Sequence, residues 1–170
     1  KFENLTDAKK FLKYGKDYNK KKQNSKPVIN KKINDKDFKD ADKIFTDGSL
    51  IRKNKIVYSG YGIYIPSKNI KVSEILRGNK TNNRAEMTAI IEAVKIYKTG
   101  SYLNIYTDSN YSILIFSGTG ERYKENNFKR GSKEVPNVDL IKEGLKLLKK
   151  YNIKFHHIRA HTNKKDFYSI

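Results

Sequence analysis

At 170 residues the chain can hold one ordinary domain with about 40 residues left over at the front. Its 37 Lys and Arg against 18 Asp and Glu give a net charge of +19, so a polyanion, nucleic acid foremost, is the first partner to expect, although abundant Lys, Asn, Ile and Tyr are also the bias of an AT-rich coding sequence. The absence of cysteine excludes disulfides, thiolate metal sites and cysteine nucleophiles; with no signal peptide and no apolar run near the roughly 18 residues a bilayer demands, the expectation is an intracellular protein without a membrane partner.

Phe2, Leu5, Ala8, Phe11 and Leu12 recur at helical spacing, and Thr6 is placed to cap a helix beginning near Asp7. This predicts a short amphipathic helix over residues 1–15 with no core of its own to join. The chain opens on Lys1 rather than Met, which points to an upstream part that has been removed. Residues 16–43, with Lys20-Lys21-Lys22 and Lys31-Lys32, are polar and without hydrophobic period, and read as a basic linker.

From residue 44 onward strands and helices alternate. Ile44 to Thr46 is a short apolar strand, Ile56 to Ile65 a longer one after a turn at Lys53-Asn54, and Lys71 to Leu76 a third, which together predict an antiparallel meander. Thr81 to Tyr97 reads as a helix with Glu86, Ile90, Ala93, Val94 and Tyr97 on one stripe. A strand over Leu103 to Thr107, a short helix from Ser109 to Phe116, a Gly-containing, charged stretch over 117–136, a helix from Val138 to Lys150 and a last strand over Ile153 to Ile158 complete the series. No internal repeat is present.

Three acidic residues stand out by position. Asp47 follows Ile44-Phe45-Thr46, Asp108 follows Ile105-Tyr106-Thr107, and Glu86 lies in the first turns of a helix, at the end of its buried stripe. A carboxylate facing a core is costly unless a cation or hydrogen bonds satisfy it. Two acids at strand ends and a third on a helix can share a divalent metal site, which is the equipment of a nuclease.

With these residues placed, the chain from about 43 to 161 resembles the type 1 ribonuclease H family. The matching pieces are Thr46-Asp47-Gly48-Ser49, Thr81-Asn82-Asn83-Arg84-Ala85-Glu86, Tyr106-Thr107-Asp108-Ser109, Val135-Pro136-Asn137-Val138-Asp139-Leu140 and Arg159-Ala160-His161-Thr162. Each is short, and their order and spacing make the combination specific. The resemblance implies an α/β, ribonuclease H-like three-layer fold: a five-stranded mixed sheet with helices on both faces. It implies an endonuclease that cuts the RNA strand of RNA/DNA hybrids without sequence preference, leaving 5′-phosphate and 3′-hydroxyl ends. Two Mg²⁺ or Mn²⁺ ions are then expected on Asp47, Glu86 and Asp108, with Asp47 bridging them, and His161 is expected to assist proton transfer or product release. Gly48, Ser49, Asn82 and Asn83, with Ser109, are expected at the substrate, where amide and hydroxyl groups can read the 2′-hydroxyl that distinguishes RNA. Helix capping is the structural alternative for Asn82 and Asn83. Lys124, Lys129, Arg130 and Lys133 occupy the place of a basic protrusion that grips the DNA strand, with Tyr123 and Phe128 as the aromatic residues available to pack beneath the cations. His156 and His157 are read as structural.

The resemblance also exposes a gap. The family carries a fourth metal-binding aspartate about ten residues or more beyond the position of His161, opening a final helix, whereas Asp166 follows His161 by five residues. The domain over 44–170 is therefore expected to be incomplete at its C-terminus, with Asp166 as the alternative fourth ligand. The helix over 1–15 is similar to the end of the small hybrid-binding domain that some members carry, or is an ordinary amphipathic helix. Nothing in the sequence demands more than a monomer. Two other functions compete: a hybrid-binding module that has lost cleavage, and an integrase or resolvase of the same fold, against which the Asn82-Asn83 pair argues.

Overall fold

In the computed structural model, which describes residues 34–98 and 101–159, the first described element is a 3₁₀ turn at Asp35–Phe38, followed by strand β1 (Asp42–Lys53). β2 (Ile56–Ile65) is rich in β-branched and aromatic residues, the side chains that suit a half-buried pleated surface. Asn54 and Lys55 join the two strands with φ of 49° and 63°, the paired positive values of the tight hairpin turn whose twist matches that of its strands. β3 (Ile70–Ile75) completes the meander. After helix α1 (Asn82–Tyr97), strand β4 (Tyr102–Thr107) runs parallel to β1, and β7 (Asn152–His157) runs parallel to β4. The result is a five-stranded sheet in the order β3-β2-β1-β4-β7, antiparallel in its first half and parallel in its second. Between β4 and β7 lie α2 (Asn110–Leu114), α3 (Gly120–Glu125), a ribbon of two short strands, β5 (Lys129–Arg130) and β6 (Lys133–Glu134), and α4 (Val138–Leu148).

α1 holds the fold together because it is apolar on two sides. Ile90, Ala93, Val94 and Tyr97 pack on Ile44, Ile63, Ile65, Leu103 and Ile105 of the sheet. Met87 and Ile91 pack on Leu140, Ile141 and Leu145 of α4, with Ile115 and Val135. Thr81 caps the helix, its hydroxyl accepting the Arg84 N–H at 3.2 Å, and Lys98 ends it in the left-handed region at φ 51°. The Tyr97 hydroxyl donates to the Asp42 carboxylate at 2.7 Å and so pins the end of α1 to the start of β1.

Residues of the opposite parity face the other side of the sheet, where the 3₁₀ turn lies: Asn104 donates its side-chain N–H to the Phe38 carbonyl at 2.8 Å, and the Phe38 and Tyr102 rings meet edge to face. On this side Tyr64, Phe45, Tyr106 and His156 form a row of rings across β2, β1, β4 and β7, each stacked on the next, with centroid separations of 6.2, 4.8 and 4.4 Å.

Several boundaries differ from the sequence reading. β1 is longer at both ends than Ile44 to Thr46, and residues 34–43, which read as the end of the linker, belong to the folded part, with Phe38 buried. The helix expected from Ser109 to Phe116 ends at Leu114 and passes through a wide π turn, Ile115–Thr119, in which Gly118 has φ 154°. The Gly-containing, charged stretch over 117–136, where the sequence reading places no element, contains α3 and the ribbon. The predicted helix at 1–15, the linker up to residue 33, His161 and Asp166 lie outside the described residues.

Truncating Ile90, which is fully buried between α1 and the sheet, removes apolar area and leaves a cavity. Ile90→Ala is expected to cost about 2–5 kcal/mol, read as a lower urea midpoint at unchanged m-value.

Candidate metal centre

The parallel pairing of β1 with β4 brings two of the acids side by side. Phe45 and Tyr106 are register partners, and Asp47 and Asp108 each lie two residues further along. Asp108 follows the last residue of β4, as expected, but Asp47 lies in the middle of β1, because that strand runs on as a hairpin arm paired with β2. Asp47 is opposite Gly62 on β2, where no side chain intrudes. Glu86 comes from α1 and reaches this place because Gly48 lets the helix sit directly on β1: a Cβ on Gly48 would stand 2.5 Å from the Glu86 backbone nitrogen and 2.9 Å from the Ala85 carbonyl carbon. Asp47, Glu86 and Asp108 each offer a carboxylate oxygen, and these oxygens all lie within 4.8 Å of one another.

Burial and charge act together on Glu86. The residue is 2% exposed. Desolvation first, then the neighbouring Asp108 and Asp47 carboxylates, raise its pKa to about 8, against a lowering contribution from the Gly48 N–H that donates to it. Its Oε2 is buried with no hydrogen-bond partner among the described residues. An orphaned buried oxygen beside two further carboxylates, with oxygen as the whole donor set, fits a hard divalent cation and suits neither a soft metal nor a structural ion pair.

The RNase H family model matches residues 39–166. The chain belongs to the ribonuclease H family. Among its curated relatives, ribonuclease H of Caldicellulosiruptor saccharolyticus is 36% identical over 124 residues, 70% of this chain and 83% of the relative. Ribonuclease H of Schizosaccharomyces pombe is 34% identical over 127 residues, 72% of this chain and 47% of the relative. Solved structures share the fold. The PFV RNase H domain superposes with a TM-score of 0.60 at 24% identity, covering 74% of this chain and 84% of that one. A foamy viral protease-reverse transcriptase solved in complex with an RNA/DNA hybrid gives a TM-score of 0.60 at 23% identity, over 79% of this chain and 20% of that one. The activity of the chain is accordingly that of a ribonuclease H, a nuclease acting on RNA/DNA hybrids with the help of a divalent metal.

The other residues expected at the ribonuclease H site are distributed unevenly around the acids. Gly48 packs on Ala85 and Glu86 of α1, Ser49 follows it on β1, and Asn82 and Asn83 form the first turn of α1; these last three are exposed. Capping falls to Thr81 and not to the asparagines. Ser109 caps α2: it is 9% exposed, and its hydroxyl accepts the Ser112 N–H at 3.2 Å and pairs with the Ser112 hydroxyl at 2.9 Å. Lys124 sits on α3 within 3.7 Å of Glu121, and Lys129, Arg130 and Lys133 are exposed on the ribbon. Tyr123 and Phe128 pack on the cluster beneath α4, and the cation over the Phe128 ring is Lys142, 4.9 Å from its centroid, rather than one of the expected four. His156 is structural, stacked on Tyr106 and bonded to Asn104 at 2.8 Å.

Reasoning from sequence misses Arg84, although it lies inside the motif that ends in Glu86. Its guanidinium makes a two-pronged ion pair with Asp139 at 2.8 and 2.6 Å, joining the first turn of α1 to the first turn of α4. This bond holds the Asp139 carboxyl at about 2. The signal available in the sequence is Asp139 itself, one residue inside a helix start and within another matching segment.

Two outcomes follow from this geometry. Gly48→Ala forces a methyl group into the α1 backbone, and is expected to cost about 1–3 kcal/mol in urea unfolding and to weaken cleavage as Glu86 is displaced. The second concerns pH: above its ordinary value near 4.5 the unfolded chain releases the Glu86 proton, whereas the folded chain keeps it up to about 8. The folded state then binds more protons, so stability in EDTA should fall as pH rises through that window. Thermal unfolding of the parent and of Glu86→Gln from pH 4.5 to pH 8 checks this: the parent should lose melting temperature relative to the variant, and added Mg²⁺ should restore it most at the alkaline end.

Proposed function

We propose that Asp47, Glu86 and Asp108 hold two Mg²⁺ or Mn²⁺ ions and that the chain hydrolyses the RNA strand of RNA/DNA hybrids without sequence preference, giving 5′-phosphate and 3′-hydroxyl ends. The observation that carries this reading is the convergence of the three carboxylates within 4.8 Å, with the buried Oε2 of Glu86 unpartnered among the described residues. When bound, hard divalent cations supply a nucleophilic water and neutralise charge at the scissile phosphate. The chain's part is to hold the acids in place. Glu86 must give up the proton that its surroundings favour before it can act as a ligand, so loading of the site is linked to pH.

Selection of the RNA strand is assigned to the junction of β1 and α1. Ser49 on β1 and Asn82 and Asn83 in the first turn of α1 are all exposed. Asparagine amides and a serine hydroxyl both donate and accept, as a 2′-hydroxyl requires. Lys124, Lys129, Arg130 and Lys133 are assigned to the phosphates of the DNA strand, supported by their exposure on α3 and the ribbon and by the net charge of +19. His161 is assigned to proton transfer or product release. The reading is of a monomer with an intracellular location.

Asp47→Asn removes a ligand's charge with little change of volume. Cleavage of a labelled hybrid in Mg²⁺ should fall by at least about a hundredfold, roughly 2.7 kcal/mol of transition-state stabilisation, while hybrid affinity changes little. Activity near the parent level would reject the assignment of the three acids.

A further inference from the structure

We propose that His157 is a positioning residue for Asp108, holding the strand-end acid in the geometry that a divalent cation requires. The proposal rests on the reading of Asp47, Glu86 and Asp108 as the metal centre and goes beyond it, because His157 belongs to none of the motifs that define the site.

His157 is the last residue of β7 and the register partner of Thr107, the last residue of β4. Asp108 therefore begins where the β4 ladder ends, and its backbone has left the sheet by the residue that matters. The ring Nε2 of His157 stands 3.1 Å from the Asp108 carbonyl oxygen. A carbonyl oxygen can only accept, so Nε2 carries the hydrogen and donates. One residue back, the Ile158 N–H donates to the Thr107 carbonyl at 3.0 Å. One residue ahead, the Ser109 N–H donates to the Thr107 hydroxyl at 3.2 Å, and the Ser109 side chain caps α2. The imidazole thus extends the β4–β7 connection by one rung, with a side chain replacing the backbone donor that the ladder no longer provides.

Asp108 needs this support. The carboxylate oxygens of Asp108, Asp47 and Glu86 lie within 4.8 Å of one another, so the repulsion of the Asp47 charge falls on a peptide unit at a strand-to-helix junction. The bond does not depend on the charge of the ring, since a neutral imidazole with its hydrogen on Nε2 and a protonated one both donate. His157 is itself exposed, so its side chain fills no core and its truncation leaves no buried cavity.

The test uses the complete 170-residue chain, with His157→Ala, which removes the donor, and His157→Gln, whose side-chain amide can supply a neutral one. Mn²⁺ binding is measured by calorimetry, melting temperature in EDTA, and kcat and KM on a hybrid in Mg²⁺. Residues that hold metal ligands in place typically change metal affinity or activity by about 10- to 100-fold when removed. His157→Ala should weaken Mn²⁺ binding by about tenfold or more and lower kcat with KM nearly unchanged, while His157→Gln stays within about threefold of the parent. Parent-like Mn²⁺ binding by His157→Ala would overturn the proposal, as would equal losses in both variants. A lower melting temperature with unaltered Mn²⁺ affinity would also overturn it, leaving only a structural role. A parent chain that binds no Mn²⁺ would instead overturn the metal-centre reading itself.

Discussion

The mutual repulsion of Asp47, Glu86 and Asp108 is the constraint around which the rest of the structure is arranged. At the 4.8 Å that bounds their oxygens, two unit charges in an effective dielectric of about 20 repel by about 3 kcal/mol. The fold does not relieve this by moving the acids apart. Burial and its two neighbours push the Glu86 pKa up to about 8, so one of the three charges is absent at neutral pH until a cation favours it. The acids stay together because each is anchored through its backbone on a different element: β1, paired there with β2, for Asp47, the strand-to-helix junction for Asp108, and α1 for Glu86.

α1 is consequently the most constrained element. It must pack on the sheet through Ile90 and Val94, on α4 through Met87 and Ile91, and at its start lie so close to Gly48 that no side chain fits between. The Arg84–Asp139 ion pair clamps that end from the other side. The pair is worth little as an isolated surface contact, Asp139 being largely exposed. Its use is to fix where the first turn of α1 begins, and with it the depth to which Glu86 is inserted.

Much of this is legible in the sequence where burial imposes a period. Aromatic and β-branched content after a turn marks β2 at its observed limits, and apolar spacing marks α1 to within one residue, because its buried residues recur at the helical interval. Asp108 is legible because it follows such an element and Glu86 because it lies near the start of one, whereas Asp47 is legible from the apolar Ile44-Phe45-Thr46 before it although β1 runs on past it. Structure held by pairing rather than by burial is not. β1 beyond Asp47 runs through Gly48-Ser49-Leu50-Ile51-Arg52-Lys53, a hairpin arm mostly exposed to solvent, and becomes a strand only because β2 lies beside it. The two-residue strands of the ribbon are too short to show any period, and the π turn depends on a Gly118 φ that no spacing rule foresees. The capping role of Ser109 is hidden for a related reason: it shows only in the 3.2 Å bond that its hydroxyl accepts from the Ser112 N–H, which depends on where α2 begins.

The row of rings on the second face of the sheet gives the protein an optical property. Phe45 and Tyr106 stack 4.8 Å apart and are the register partners that stand two residues behind Asp47 and Asp108. The sequence contains no tryptophan, so near-ultraviolet absorption and circular dichroism come from tyrosine and phenylalanine alone. Such signals arise when rings are held in fixed asymmetric packing and vanish when it loosens. A shift in the relative position of β1 and β4 would alter the coupling between these two rings, so this pair adds a contribution that depends on the sheet's register to the signal of the chain's 12 tyrosines and 8 phenylalanines.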